Sequence, residues 1–364
     1  MKLMNEIKRN TGIHTFELQC RLSYEQFLYI KDALYYLCED YRKRFFQTND
    51  YYHSYKCALF SDYGIGILLR SRLLKLTVNP SRLMNPDNII GLLNTKYCAV
   101  SMAELYHCLA PYLDGFLPPE LFQHLVISRI DYTIDAWLPS DEFVLLMIKL
   151  AKKQGLPRGF KNTYTASIRN SEKFNDSYSY DISRSDGSYC IRLYAKHKQL
   201  TSGRKDIPEQ LLNKTIGLLR AEISCSCYTH ITDTSAVSYQ LSHENLLKVY
   251  HDIFPGVFPY GTYLISSKAK SLLEKYYQNQ RTLKKHILAF LNIVTEHHTF
   301  HQAYQLFGNK NILKKDLLEL FYNTGINPVT IAVNDIITYM PSIYLALGLD
   351  DPYMSQELSL ILSL

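Results

Sequence analysis

The sequence predicts an α+β fold: a pseudo-duplicated antiparallel sheet with helices on one face, followed by a helical C-terminal region. Three observations predict it. Apolar residues alternate over short segments in both halves of the first 225 residues. A helically spaced segment follows the first strand of each half. Beyond about residue 229 the strand period gives way to helical spacing.

Residues 12–21 read as the first strand, with His14, Phe16, Leu18 and Cys20 alternating against polar neighbours. Ser23, with Gln26 three residues on, forms a capping-box signature. Phe27, Ile30, Leu34 and Leu37 give the helix behind it an apolar side. Strands are expected at 52–60, 65–71 and 73–78, and Asn79-Pro80 stops the last. The order then starts again. Residues 125–137 read as a strand, and Pro139-Ser140 opens a helix with Phe143, Leu146, Met147 and Leu150 on one side and Gly155 at its end. Further strands are expected at 164–168, 178–183, 188–196 and 218–224, with Asp186-Gly187 as a hairpin turn. In the last third, residues 280–291, 299–307 and 313–322 have helical apolar spacing and Lys-rich polar faces. Thr324-Gly325-Ile326-Asn327-Pro328 stops the last of them. The expected divisions are 1–115, 116–230 and 231–364.

A hydrophobic content of 47% with 20% charged residues fits a folded globular chain. No apolar run is long enough to span a bilayer. Residues 1–10 mix Lys2, Glu6, Lys8 and Arg9 with few apolar residues, so no secretory signal is expected. The eight cysteines are scattered with no CxxC pair, which suits reduced thiols in a cytoplasm better than a disulfide frame or a zinc ribbon. The net charge of +6 suits a polyanionic partner. Thirty tyrosines stand against 16 Phe and one Trp. AT-rich coding accounts for that bias more simply than a need to stack on bases or to supply a nucleophile, so composition alone favours the coding explanation. No Gly-rich phosphate loop of Walker type is present, and no ATPase activity is expected.

Three strands of the second half carry charge on one face. In 126–135, Val126, Ser128, Ile130, Tyr132 and Ile134 alternate with Ile127, Arg129, Asp131, Thr133 and Asp135. In 189–196, Tyr189, Ile191 and Leu193 oppose Arg192, Tyr194 and Lys196. In 219–224, Leu219, Ala221 and Ile223 oppose Arg220, Glu222 and Ser224. One such strand reads most simply as a solvated face with cross-strand ion pairs. Three in succession predict a shared polar surface. Asp131, Asp135 and Glu222 are the carboxylates for a hard divalent ion, magnesium or manganese. Arg129, Arg192, Arg220 and Lys196 are the cations for phosphate, and Tyr194 is the hydroxyl. Together these groups suit cleavage of a phosphodiester through a tyrosine.

In order and spacing, Arg129-Ile-Asp-Tyr-Thr-Ile-Asp135, Ile191-Arg-Leu-Tyr-Ala-Lys196 and Leu219-Arg-Ala-Glu222 resemble the motifs of Rep_trans-type replication initiators. That family takes in plasmid rolling-circle initiators and the related relaxases of integrative conjugative elements. The filamentous-phage gene II replication proteins are similar in the same stretches. The resemblance covers residues 60–225 and the stretch at Gly325-Ile-Asn-Pro328. It implies a replication initiation protein that nicks one DNA strand at an origin and forms a 5′-phosphotyrosine for rolling-circle replication. A conjugative relaxase of the same chemistry, or a non-catalytic origin-binding protein, is the alternative. By position, Asp131, Asp135 and Glu222 become metal ligands for Mg or Mn, Tyr194 the nucleophile, and Arg192 and Lys196 its catalytic neighbours. Tyr178, Tyr180 and Tyr189 on the adjacent hairpin are alternative nucleophiles. DNA binding falls to Arg129 and Arg220, with Arg70, Arg72 and Lys75 in a first half read as scaffold and DNA-positioning surface.

The implied partners are origin DNA, single-stranded or hairpin, and a host helicase. No membrane partner is implied, and the implied setting is the cytoplasm of a bacterial host. Two departures stand out: Ala195 follows Tyr194 where the family often has an acidic residue, and there is no His-x-His tripeptide. His297, His298 and His301 fall on a helical stretch and read as a surface face.

Overall fold

At the centre of the sheet, β1 (Lys8–Arg21) pairs antiparallel with β7 (Val126–Trp137). The computed structural model describes residues 7–38, 45–49, 54–86, 88, 91–94, 102–162, 178–203, 207–226, 239–296, 299–307, 312–332 and 336–353. Outward from β1 lie β5 (Leu73–Val78), β4 (Ile65–Arg70), β3 (Ser54–Cys57) and β2 (Phe45–Asn49). Outward from β7 lie β11 (Leu218–Cys225), β10 (Tyr189–Ala195), β9 (Ser179–Arg184) and β8 (Phe160–Asn162). Each half therefore places its first strand inside, its last strand next, and the others outward in reverse chain order. The sequence predicts the duplication; the spatial order of the strands comes from the structure. A short β6 (Leu93–Asn94) pairs with β1 at Gly12 and Ile13, and all these pairings are antiparallel. The strand expected at 164–168 lies outside the described residues.

Helix α1 (Tyr24–Leu37) follows β1, and α2 (Asp141–Gln154) follows β7. Ser23 caps α1 with both halves of the box: its Oγ accepts from Gln26 N at 3.1 Å, and its own N–H donates to Gln26 Oε1 at 2.8 Å. Phe27, Ile30 and Leu34 are buried, but Leu37 at the helix end stays largely exposed. Helix α2 buries Val144, Met147, Ile148 and Ala151 and packs on β9, β10 and β11. Gly155 ends it at φ 77°, a left-handed conformation that costs glycine nothing. A Cβ there would also lie 2.3 Å from Thr299 Oγ1.

The C-terminal region is helical and packs on the same face. From α4 (His243–Ile253), Tyr250 donates to Ala221 O at 2.7 Å and to Tyr132 O at 3.2 Å. Asn245 Nδ2 donates to the Tyr132 hydroxyl at 2.7 Å. Helices α5 (Arg281–Glu296), α6 (Phe300–Leu306) and α7 (Lys314–Tyr322) stand where the spacing predicts and meet around Phe290. Of the histidine cluster, His297 and His298 lie outside the described residues. No described helix is long and apolar enough to cross a membrane.

With one sheet face covered, the core forms from Phe16, Leu18, Ile130, Tyr132, Ile134, Ile191, Leu193, Ala221 and Ile223, all fully buried. The other face is left for polar groups. One expected strand is shortened there. The run 188–196 ends at Ala195, and Lys196 begins α3 (Lys196–Gly203).

Candidate active site

Two bulges decide which side chains reach the polar face. In the β1–β7 ladder Ile13 pairs with Tyr132, and the next pair is Thr15 with Asp131. His14 is therefore an extra residue, opposed together with Thr15 to Asp131. Plain alternation with Phe16, Leu18 and Cys20 assigns His14 to the buried apolar face. The bulge turns it over instead, and its Nδ1 lies 2.9 Å from Glu222 Oε1. Thr15 Oγ1 beside it donates to Asp131 Oδ2. Three residues on from His14, Glu17 pairs with Arg129, and then Leu18 pairs with Ile127, which leaves Ser128 extra in β7. Ser128 Oγ donates to Glu17 Oε1 at 3.2 Å on the polar face, while Ile127 is fully buried. The alternation places these two residues the other way round. The bulge is the reason for the difference.

Register then brings distant segments into rows. Asp181, Arg192, Glu222 and Thr133 are neighbours across β9, β10, β11 and β7. Arg192 Nε lies 3.4 Å from Asp181 Oδ1, and Nη1 lies 4.0 Å from Glu222 Oε2. One row along are Tyr194, Arg220 and Asp135. The Tyr194 hydroxyl reaches across and donates to Glu222 Oε1 at 2.7 Å. On the other side, Arg129 Nε is 3.2 Å from Asp131 Oδ1, and its Nη1 is 3.2 Å from Glu17 Oε2. Lys75 donates to Glu17 Oε1 at 2.6 Å.

Some of these groups line a cavity of about 580 Å³, among them His14, Arg129, Asp131, Arg192, Tyr194 and Glu222. Six of the residues singled out from sequence meet there: Arg129, Asp131, Tyr178, Arg192, Tyr194 and Glu222. Asp135 and Arg220 do not. Arg220 is fully buried and donates from Nε and Nη2 to the two Asp135 oxygens at 2.6 and 2.7 Å. A guanidinium held inside the sheet in this way does not reach a DNA backbone, so Arg220 is an interior cation. Lys196, at the start of α3, is buried; its Nζ donates to Gln199 Oε1 at 2.9 Å and lies 5.7 Å from the Tyr194 ring centroid.

Arg70 and Arg72 are exposed at the β4–β5 turn, away from the cavity. Of the alternative nucleophiles, Tyr178 lines the cavity and accepts from Ser202 Oγ at 3.2 Å. Tyr180 is on the helix-covered face and donates to Gly155 O at 3.0 Å. Tyr189 packs on Phe160 at 5.7 Å between ring centroids. The sequence reading missed His14, Thr15 and Asp181. Asp181 had a signal, as the polar residue between Tyr180 and Ile182 on a strand. His14 had none, because its position depends on the bulge.

Burial opposes the charge of Glu222, but His14, Arg220 and the Tyr194 hydrogen bond outweigh it and hold the carboxyl well below its ordinary range. Burial first, then the Glu222 charge, pushes the Tyr194 phenol well above its ordinary value. The resting pair is a neutral phenol donating to a carboxylate. Burial also opposes the Arg192 charge, yet Cys190, Glu222 and Asp181 raise its pKa overall.

Asp131, Asp181 and Glu222 carry carboxylate oxygens of the kind magnesium or manganese take, but they do not converge on one ion as placed. The expected trio of Asp131, Asp135 and Glu222 does not fit a shared ion as placed, because Asp135 gives both oxygens to Arg220. Among the described residues, no three His, Cys, Asp or Glu side chains are arranged to hold a metal.

No family model matches the chain, and no curated protein does. Among solved structures, a rolling circle replication initiator protein from Geobacillus stearothermophilus is similar over 69% of this chain and 86% of that one, at a TM-score of 0.33 and 8% identity. At that distance, what the cavity does has to be read from its own geometry.

Proposed function

We propose that this chain is a replication initiation protein that nicks one DNA strand at an origin for rolling-circle replication, with Tyr194 as the nucleophile. The observation that carries the reading is the Tyr194 hydroxyl donating at 2.7 Å to an ionised Glu222 inside a cavity flanked by Arg129 and Arg192.

On this reading a phosphodiester enters the cavity and its non-bridging oxygens meet the two guanidinium groups. Because the phenol is held neutral, proton transfer accompanies attack: Glu222 accepts the phenolic proton as the tyrosyl oxygen bonds to phosphorus. The bond from phosphorus to the 3′ oxygen breaks, and that oxygen leaves and takes a proton from solvent. The 5′ phosphate stays on tyrosine, so the energy of the broken bond is kept for rejoining. His14 fixes Glu222 from the far side of the seam at 2.9 Å. Two guanidinium groups meet three carboxylates in the cavity. A divalent cation, magnesium or manganese, would ease the arrival of the phosphate, so the assay is run with and without it. Unwinding is left to a separate host helicase. A conjugative relaxase would carry out the same step.

The test mixes the protein with supercoiled and 5′-labelled single-stranded DNA from its own replicon. A nick with DNA covalently bound to protein supports the reading, and mass spectrometry then names the tyrosine. Tyr194→Phe is expected to abolish the adduct and leave DNA binding nearly unchanged. An adduct that persists moves the nucleophile to Tyr178. Binding without any cut, with either metal and the cognate origin, replaces the reading by a non-catalytic origin-binding protein.

A further inference from the structure

We infer that a single strand of DNA, continuing from the phosphodiester in the cavity, runs across the open face of the first half of the sheet, from β7 to β3. This rests on the nuclease reading.

The cavity does not end at β7: Thr77 of β5 also lines it. From there the register lays out three rows. The first is Arg129, Glu17, Thr77 and Gly66, the second Gln19, Lys75, Leu68 and Lys56, and the third Arg21, Leu73 and Arg70. On the opposite face of the same strands, Ile65, Ile67, Leu69, Leu74 and Leu76 are buried, so among the described residues this face is the uncovered one. Lys56, Arg70 and Arg21 are exposed, and Lys75 is half-buried.

Among the described residues of these rows on β1, β5, β4 and β3, those four cations face one carboxylate, Glu17, which is already held by Lys75 and Arg129. In the cavity itself carboxylates outnumber guanidinium groups. The net excess of positive charge that suits a polyanion therefore lies beside the cavity. Leu68 and Leu73, half-buried between the cations, add apolar surface for bases. The row nearest the cavity ends in Thr77 and Gly66, which makes it low. Four strand spacings of about 4.8 Å give a path of roughly 19 Å, long enough for several nucleotides.

Gly66 makes the route testable. A Cβ there would meet nothing closer than Thr77 Cβ at 3.8 Å, so a side chain fits the fold and rises into the path. The probes are fluorescein-labelled oligo-dT of six and of twenty nucleotides, bound to the full chain and read by anisotropy. Gly66→Glu and the double variant Lys56→Ala/Arg70→Ala are expected to weaken the long oligonucleotide at least about fivefold and the short one less than about twofold. The double variant should also lower the slope of log affinity against log salt by about 1.4, from ~0.7 per lost phosphate contact on a single strand. Gly66→Ala, which adds no charge, should bind like wild type.

Wild-type affinity for the long strand in both Gly66→Glu and the double variant, with Arg192→Ala weakening both lengths, overturns the route and leaves the nuclease reading standing. Equal competition by duplex of the same length overturns the single-strand assignment. A wild-type protein that binds neither oligonucleotide overturns the nuclease reading together with the route.

Discussion

Asp135→Asn separates two roles for a residue that the sequence placed among metal ligands. Asp135 is 1% exposed and its partner Arg220 fully buried. Both Asp135 oxygens accept from Arg220, at 2.6 and 2.7 Å. Asn keeps the shape and removes the charge, leaving a guanidinium inside the sheet with its main counter-charge gone. Breaking one partner of a buried pair costs about 3–5 kcal/mol, a large share of a typical stability of about 5–15 kcal/mol. With a urea m-value of about 3 kcal/mol/M, the midpoint should fall by about 1–1.7 M. Replacing both members, Asp135→Leu with Arg220→Met, removes the two charges together. It should recover most of the loss, and the coupling in the double-mutant cycle should approach the cost of the single change. The assay is urea unfolding followed by fluorescence, run beside the nicking assay at a temperature where every variant is folded. A midpoint unchanged from wild type, with nicking lost, would refute the structural role and return Asp135 to the chemistry.

Tyr194→Phe removes a hydrogen bond to a buried, ionised carboxylate and should cost about 1.5–3 kcal/mol of stability in addition to the adduct, measured by the same unfolding curves. Ser23→Ala deletes the side-chain half of the α1 capping box and should cost about 1 kcal/mol; no shift in midpoint would show that the helix does not depend on its cap. Burial raises the phenols of Tyr194, Tyr180, Tyr250 and Tyr344 and takes Tyr277 up to about 12. Unfolded tyrosines lose protons near pH 10 while these keep theirs, so stability present at neutral pH should fall as pH rises above about 10. Phenolate absorbance should rise in two stages, the second coinciding with unfolding. A single stage near pH 10 for every tyrosine would show that the buried phenols are not held.

The sequence by itself determined what depends on neighbours along the chain. Alternation in 126–135, 189–196 and 219–224 needs only the period of a strand, and it holds apart from Ile127 and Ser128 and from Lys196 at the strand end. The capped helix at Tyr24–Leu37 needs only Ser23, Gln26 and an apolar stripe. The repeated order of these elements was enough to expect a duplicated sheet, and Arg129, Asp131, Arg192, Tyr194 and Glu222 were legible as members of one polar face.

What only the tertiary structure decided depends on register and on bulges. Simple alternation hides His14 in the core; an extra residue opposite Asp131 brings it to Glu222. A shared strand face and the motif resemblance made Asp135 look like a partner of Asp131, and a cross-strand step places it opposite Arg220 instead, where the two pair with each other. Lys196 looked like the end of a strand until the chain turned into a helix at that residue. Side-chain direction is local and periodic, so a sequence carries it. Which strand lies beside which, and where one residue slips out of step, is set by contacts between segments far apart in the chain, and a one-residue slip sends a side chain to the opposite face.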